Sequence, residues 1–340
     1  MAVQPIELSR FLELSAGIPI LDVRSPAEYA HAHIPGAYSL PLFTDEERKR
    51  VGTAYKQESR ETAIKIGLDY FGPKMRAMVE QVEAMKTEEV LVHCWRGGMR
   101  SSGVAWLLDL YGFKVYTLKG GYKSYRQYIV ESFQLPAKLK ILGGYTGSAK
   151  TAVLEKLQRL GESVINLEQL ANHKGSAFGH LGLDKQPSQE MFENLLGMEI
   201  RRINSQPCWL EDESWRIGSV LIPQPFYNQM REAACYFLDI PFEERLQYIL
   251  QDYGKASREE LINSVLKIQK RLGGLETKTA IGFIIENNLT DAFRILLQYY
   301  DKFYRKGLAS RSAHAPAIVQ LNAASVDPDR LTQLLLTNQL

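Results

Sequence analysis

Two short segments carry residue types that do chemistry. In Cys94-Trp95-Arg96-Gly97-Gly98-Met99-Arg100, a thiol is followed by two arginines and two glycines within seven residues. A turn of this composition can aim backbone amides at an anion held against the sulfur, and the arginines add fixed positive charge. The same surroundings favour the thiolate, the nucleophilic form of cysteine. The second segment is Gly144-Tyr145-Thr146-Gly147-Ser148-Ala149-Lys150-Thr151, close to the Walker A pattern. There the turn at Gly144, Thr146, Gly147 and Ser148 would cradle a diphosphate with its amides. Lys150 would neutralise the charge, and Thr151 could ligate Mg²⁺. Ala149 stands where the pattern asks for glycine. If that position needs a left-handed backbone, its methyl group costs about 1 kcal/mol or more. Trp209-Leu210-Glu211-Asp212-Glu213, an apolar run ending in acids, resembles a Walker B segment, with Asp212 or Glu213 as candidates to hold the metal's water shell.

Each chemical segment needs a strand before it and a helix after it. Glu89–His93 reads as a buried strand leading into Cys94, and Ser101–Tyr111 as the helix that follows. Pro19–Val23 and Val115–Leu118 are further strands, and Pro26–Ala32 is a helical turn. The second half restarts the alternation with a strand at Leu139–Leu142, a helix at Lys150–Leu160 and a strand at Ser163–Leu167. Apolar strand-length runs follow at Pro207–Leu210, Cys235–Leu238 and Ile318–Leu321. Strands alternating with helices predict parallel sheets, whose active groups sit past the carboxyl ends of strands. From Ser257 to Lys306 the period turns helical, with Leu261, Val265, Ile268 and Leu272 on one face.

Composition narrows the class. A chain of 340 residues that is 45% hydrophobic and 24% charged is expected to form two domains. It shows no apolar run of membrane-spanning length and no basic-then-apolar opening, so no membrane association is expected and the cytoplasm is the expected location. Three cysteines, Cys94, Cys208 and Cys235, are spaced too widely for a zinc site. They are expected to be free thiols, the latter two as core residues. A net charge of +2 confines any RNA contact to local patches. One is Arg48, Lys49, Arg50 and Lys56. Another is Tyr299–Lys306, where aromatics interleave with cations. His173 and His180 lie in a glycine-containing segment that could cover the phosphate site.

Residues 5–130 resemble the rhodanese family: Asp22-Val23-Arg24, Glu28-Tyr29, His33-Ile34-Pro35-Gly36-Ala37 and the closing turn Gly120-Gly121 occur in order. The resemblance implies that Cys94 carries a persulfide or attacks an anionic sulfur donor. Simple rhodaneses place four residues between the cysteine and the arginine, whereas five separate Cys94 from Arg100. The longer loop is similar to that of related phosphatases and suits a phosphate-bearing donor.

Adding the P-loop and Arg50-Val51-Gly52-Thr53-Ala54-Tyr55-Lys56-Gln57, the chain resembles the tRNA 2-selenouridine synthase family over nearly its whole length. Asn166-Leu167-Glu168, Ala171–Ser176 and Gln186–Gln189 are similar to that family's P-loop domain. The implied fold is α/β: a rhodanese-like parallel-sheet domain over residues 1–131 with an insertion at about 43–87, then a linker at 132–138. A P-loop NTPase-like α/β domain follows over 139–340, with a helical C-terminal subdomain at about 257–306. The implied activity replaces the sulfur of wobble 2-thiouridine in tRNA with selenium from selenophosphate, through an S-geranyl intermediate made from geranyl diphosphate. Cys94, Arg96 and Arg100 would be catalytic. No tightly bound cofactor is expected beyond a possible Mg²⁺, and the expected partners are the tRNA and a selenophosphate-producing enzyme. The residues alone also admit a Cys-x5-Arg phosphatase, a P-loop kinase with a sulfur-carrier module, or a catalytically silent RNA-binding adaptor.

Overall fold

The computed structural model describes residues 3–203, 206–254, 256–311 and 318–338. The chain divides into two compact units, Met1–Glu131 and Ser132–Leu340.

The first unit holds strands β1 (Gln4–Ile6), β2 (Ile20–Asp22), β3 (Tyr38–Ser39), β4 (Glu89–His93) and β5 (Lys114–Leu118). They form one parallel sheet in the order β1-β5-β4-β2-β3, with β4 in the middle. A strand covered on both faces reads as an unbroken apolar run, and Val90, Leu91 and Val92 are fully buried. β1 and β3 escape the apolar pattern because they are edge strands of three and two residues with exposed positions. The segment between β3 and β4 is helical, with helices Asp45–Gln57, Arg60–Phe71 and Met75–Glu83. Thr44 and Glu47 close a capping box at the first of these, and Lys74 pairs with Glu47. Phe43, Phe71, Met78, Val79 and Val82 bury the insertion against the same core as β4 and the helix Met99–Tyr111.

The second unit holds β6 (Leu139–Gly144), β7 (Ser163–Val164), β8 (Cys208–Glu211), the hairpin of β9 (Arg216–Ile217) and β10 (Val220–Leu221), β11 (Ala234–Asp239) and β12 (Ile318–Asn322). Its main sheet is parallel in the order β12-β11-β6-β8-β7, and again the middle strand leads to the chemical turn. The strand expected over Ser163–Leu167 stops at Val164. Asn166 ends it by accepting the Gln169 amide at 2.8 Å, which starts the helix Leu167–Ala171. Cys208 and Cys235 are completely buried in β8 and β11. The C-terminal helices Arg258–Leu272, Gly274–Ile285 and Leu289–Arg311 pack a separate core through Leu261, Val265, Ala280, Ile284 and Phe293. No helix among the described residues is long and apolar enough to cross a membrane.

Candidate active sites in two strand-to-helix turns

Cys94 is the first residue beyond β4, and its side chain is buried. Burial alone pushes a thiol up. It is outweighed by the Ser101 hydroxyl, 3.2 Å from Sγ, and by the amides of Ser101, Arg96 and Gly98, so the thiol lies below its ordinary range. The loop that aims those amides is held from behind. Tyr122 N donates to the Cys94 carbonyl at 2.8 Å and Lys123 N to the Trp95 carbonyl at 2.9 Å. Gly121, with φ at +61°, backs directly onto it. A Cβ there would collide with the Cys94 carbonyl and stand 2.5 Å from Gly97 N and 2.8 Å from Arg96 N.

Beneath the loop lies the Asp22–Arg24 pair, with Arg24 Nη2 bonded to Asp22 at 2.6 Å and to the Ala32 carbonyl at 2.7 Å. The Arg24 guanidinium also stacks 3.8 Å from the Tyr122 ring centre. His93 is fully buried 3.7 Å from Asp22, and desolvation holds it below the ordinary range, hence uncharged. His33 faces the Tyr29 carbonyl at 2.9 Å and stacks on the Tyr29 ring, a structural position.

Arg96 is exposed at the loop, whereas Arg100 turns to Glu28, with Nη1 2.7 Å from Oε2. Of the proposed RNA patch on Asp45–Gln57, Lys49, Arg50 and Lys56 are exposed. Arg48 turns inward, with Nε 3.7 Å from the same Glu28 oxygen. The structure thus groups Arg48 with the cysteine loop and separates it from its three neighbours. Glu28, Arg48 and Ser101 escape the loop pattern. Glu28 shows in sequence only as part of the rhodanese-like signature, Arg48 only as part of a basic patch, and Ser101 as a hydroxyl directly after Arg100.

The second turn follows β6 and opens the helix Lys150–Arg159. Ala149 adopts φ 55°, ψ 30°, the left-handed region, so its side chain does sit where glycine would be unstrained. Lys150 Nζ donates to the Gly144 carbonyl at 2.9 Å and lies 5.3 Å from the Tyr304 ring centre. Burial would lower this lysine, but Tyr304 and the acids Glu168, Glu213 and Asp212 raise it and keep it charged. Arg245 fastens the turn from behind. It donates to the Thr146 carbonyl at 3.0 Å while paired with Asp301 at 2.7 Å, and both members of the pair are buried.

A cavity of about 970 Å³ opens at this turn. It is lined by Thr146–Thr151, by Lys174–Ala177, and by Tyr253, Ile268, Tyr299, Tyr300, Phe303 and Tyr304. The aromatics Tyr299, Tyr300, Phe303 and Tyr304 of the Tyr299–Lys306 segment therefore line a cavity. The covering segment is tied down where Lys174 pairs with Asp252 at 2.9 Å and Ala177 N donates to Tyr300 at 3.2 Å. His173 is buried and His180 faces Lys267 Nζ at 3.0 Å; burial lowers both below the ordinary range.

The expected metal residues Thr151 and Asp212 both line this cavity. Thr151 Oγ1 donates to Glu168 at 2.9 Å, and Asp212 lies 3.6 Å from Arg231. No three His, Cys, Asp or Glu side chains among the described residues are disposed to hold a metal ion. A cluster of acids adjoins Thr151 through Glu168. Glu211 Oε1 accepts the Glu168 amide at 2.6 Å, while Oε2 is buried without a partner. Desolvation, reinforced by Glu168, pushes Glu211 up to about 8. Glu213 is driven well above the carboxylate range, first by burial and then by Glu168 and Glu211.

Both halves of the chain match known families in sequence. Residues 137–327 match the family described as the tRNA 2-selenouridine synthase AAA domain, and residues 7–128 match the rhodanese-like domain. A tRNA 2-selenouridine synthase of Shewanella denitrificans is 35% identical over 334 residues, covering 86% of this chain and 89% of the relative. That of Hydrogenovibrio crunogenus is 36% identical over 325 residues, covering 84% and 88%. That of Pseudomonas putida is 32% identical over 337 residues, covering 87% and 89%.

Proposed function

The chain belongs to the tRNA 2-selenouridine synthase family, and from that membership we propose that it exchanges the sulfur of wobble 2-thiouridine in tRNA for selenium, using its two turns for two different anions. The P-loop turn takes the diphosphate of geranyl diphosphate. The base sulfur attacks the allylic carbon, the carbon–oxygen bond breaks, and diphosphate departs onto the amides of the turn and Lys150. The sulfur becomes a thioether, a better leaving group than the thiocarbonyl. Selenophosphate, supplied by a separate enzyme, is held in the Cys94 loop by the amides and by Arg96 and Arg100. Its selenium attacks the activated carbon and expels geranylthiol, and water then cleaves the selenium–phosphorus bond, so that inorganic phosphate leaves and 2-selenouridine remains.

The observation that carries this reading is the cavity at the P-loop. Phosphate-directed groups, Lys150 and the amides of Thr146–Thr151, share one space with Ile268, Tyr253, Tyr299, Phe303 and Tyr304. A diphosphate joined to an apolar chain satisfies both linings. Tyr304 is half-buried beside Lys150, so partial desolvation there strengthens the interaction with a bound anion. Buried carboxyls kept protonated, as at Glu211, reduce the repulsion that such an anion would meet.

The test is reconstitution. Purified protein is mixed with tRNA bearing 2-thiouridine and geranyl diphosphate, and the nucleosides are read by mass spectrometry before and after selenophosphate is added. S-geranyl-2-thiouridine followed by 2-selenouridine is the expected sequence. Unchanged tRNA together with phosphate release from aryl phosphates would overturn it in favour of a Cys-x5-Arg phosphatase.

A further inference from the structure

We propose that Arg48 is a third cation of the Cys94 anion nest, binding the phosphorus-bearing donor directly and setting the loop's preference for it. This rests on the reading of Cys94 as the donor site.

The helix Asp45–Gln57 displays Lys49, Arg50 and Lys56 to solvent, but Arg48 leaves that face. Its Nε is excluded from solvent without a hydrogen-bond partner, while the side chain as a whole stays 39% exposed. A buried guanidinium nitrogen with no acceptor is costly unless something completes its surroundings. What it faces is the Glu28 carboxylate, 3.7 Å away, through the same Oε2 atom that Arg100 Nη1 meets at 2.7 Å. Two guanidinium groups thus converge on one carboxylate oxygen. Burial and the charge of Arg100 hold Arg48 below the ordinary arginine range, and Glu28 and Cys94 act the other way. The pair shares one negative charge, which leaves net positive charge beside the sulfur. An oxyanion of phosphorus, carrying roughly 1.5–2 negative charges at neutral pH, completes that balance.

The placement is built by the chain and is not a chance rotamer. Ala27 N donates to Asp45 Oδ1 at 3.0 Å, fastening the start of this helix to the helix Pro26–His31 that carries Glu28. Glu28 is fixed in turn by the capping box with Ser25, whose amide it accepts at 3.1 Å. Lys74 holds the helix from its other side through Glu47. Gly52, one turn beyond Arg48, leaves room for the guanidinium; a Cβ there would stand 2.6 Å from Arg48 Nη1. Arg48 therefore binds the anion, and Glu28 is a positioning residue that keeps the two arginines side by side.

The experiment follows alkylation of Cys94 by iodoacetamide in the full-length protein, with inorganic phosphate titrated as the protecting anion. Mass spectrometry assigns the label to Cys94. Arg48→Ala is expected to weaken phosphate protection by about tenfold, as loss of a charged hydrogen-bonding partner does. The KM for selenophosphate should rise more than kcat falls, and Arg48→Lys should recover part of the protection. tRNA affinity and its salt dependence should stay at wild-type values. Unchanged protection with weaker tRNA binding, and a salt slope shallower by about one unit, would overturn the proposal and make Arg48 an RNA contact. Should Arg48→Ala not fold, Gly52→Ala displaces the same guanidinium, and undiminished protection in that variant contradicts the proposal equally. Phosphate that fails to protect wild-type Cys94 at all removes the donor-site reading itself and the proposal with it.

Discussion

Cys94 and the Walker-like turn occupy the same place in two different sheets. Each follows the middle strand of a five-stranded parallel sheet and opens a helix, so each receives converging amides and the positive end of a helix. Their surroundings are opposite. Around Cys94 the charges are Arg96, Arg100 and Arg48 facing Glu28, with the Asp22–Arg24 pair beneath, and the thiol is lowered. Around the P-loop, Lys150 is raised by Tyr304 and neighbouring acids, and Glu211 and Glu213 are pushed toward their neutral forms. Backbone geometry alone makes both turns anion-directed. In the proposed function, the side chains then separate a loop that activates its own nucleophile from one that stabilises a leaving group.

The sharpest way to break that division is to remove one side chain and read both sites. Lys150→Ala should reduce geranyl transfer by roughly 10²–10³-fold, the scale for losing a donor aimed at developing charge. The alkylation rate of Cys94 should not change. Equal loss at both would mean that the turns are not chemically separate.

A smaller effect is expected on the surface of the insertion. Lys49→Glu with Arg50→Glu should weaken tRNA binding by about tenfold and flatten its salt dependence, because phosphate contacts release counterions. An unchanged slope in filter binding would place the tRNA elsewhere.

The acid cluster gives the third prediction. Burial and then Glu168 push Glu211 up to about 8 in the folded chain against about 4.5 for an ordinary glutamate, so between those values the native state holds more protons than the unfolded one. Its contribution to stability is therefore full below the unfolded value and is lost as pH rises from about 4.5 to about 8. Glu211→Gln keeps an acceptor for the Glu168 amide and should flatten the fall of Tm across that window. A wild-type slope in the variant would show that Glu211 is not the group responsible.

The smallest change concerns the methyl group in the P-loop. Ala149→Gly removes left-handed strain and should raise stability by about 1 kcal/mol, less what glycine adds to unfolded-chain entropy. Diphosphate affinity, read by calorimetry with geranyl diphosphate, should rise with it. Equal affinity would mean that the methyl group is harmless to the ligand.

What could be read without the structure follows the same contrast. β4, β6, β8 and β11 were legible because a strand buried on both faces must be apolar throughout, and glycine-rich turns at their ends mark where chemistry can sit. The short edge strands β1 and β3 and the β9–β10 hairpin bury too little to leave a pattern. Asn166 reads as part of a strand until its side chain is seen capping a helix. Charge was the least legible quantity. Arg48 looks like Lys49 and Arg50 in sequence, and only the tether between Ala27 and Asp45 decides that it faces Glu28. Tyr299, Tyr300 and Tyr304 likewise suggest a surface platform until the cavity shows what they line.

The central claim, one turn for each anion, is tested most directly by nucleoside mass spectrometry of tRNA from cells whose own copy is replaced by Cys94→Ala or Lys150→Ala. The account predicts that Cys94→Ala contains no 2-selenouridine but accumulates S-geranyl-2-thiouridine, while Lys150→Ala retains 2-thiouridine with neither product. Wild-type 2-selenouridine in the Cys94 variant, or S-geranyl-2-thiouridine persisting in the Lys150 variant, would contradict it.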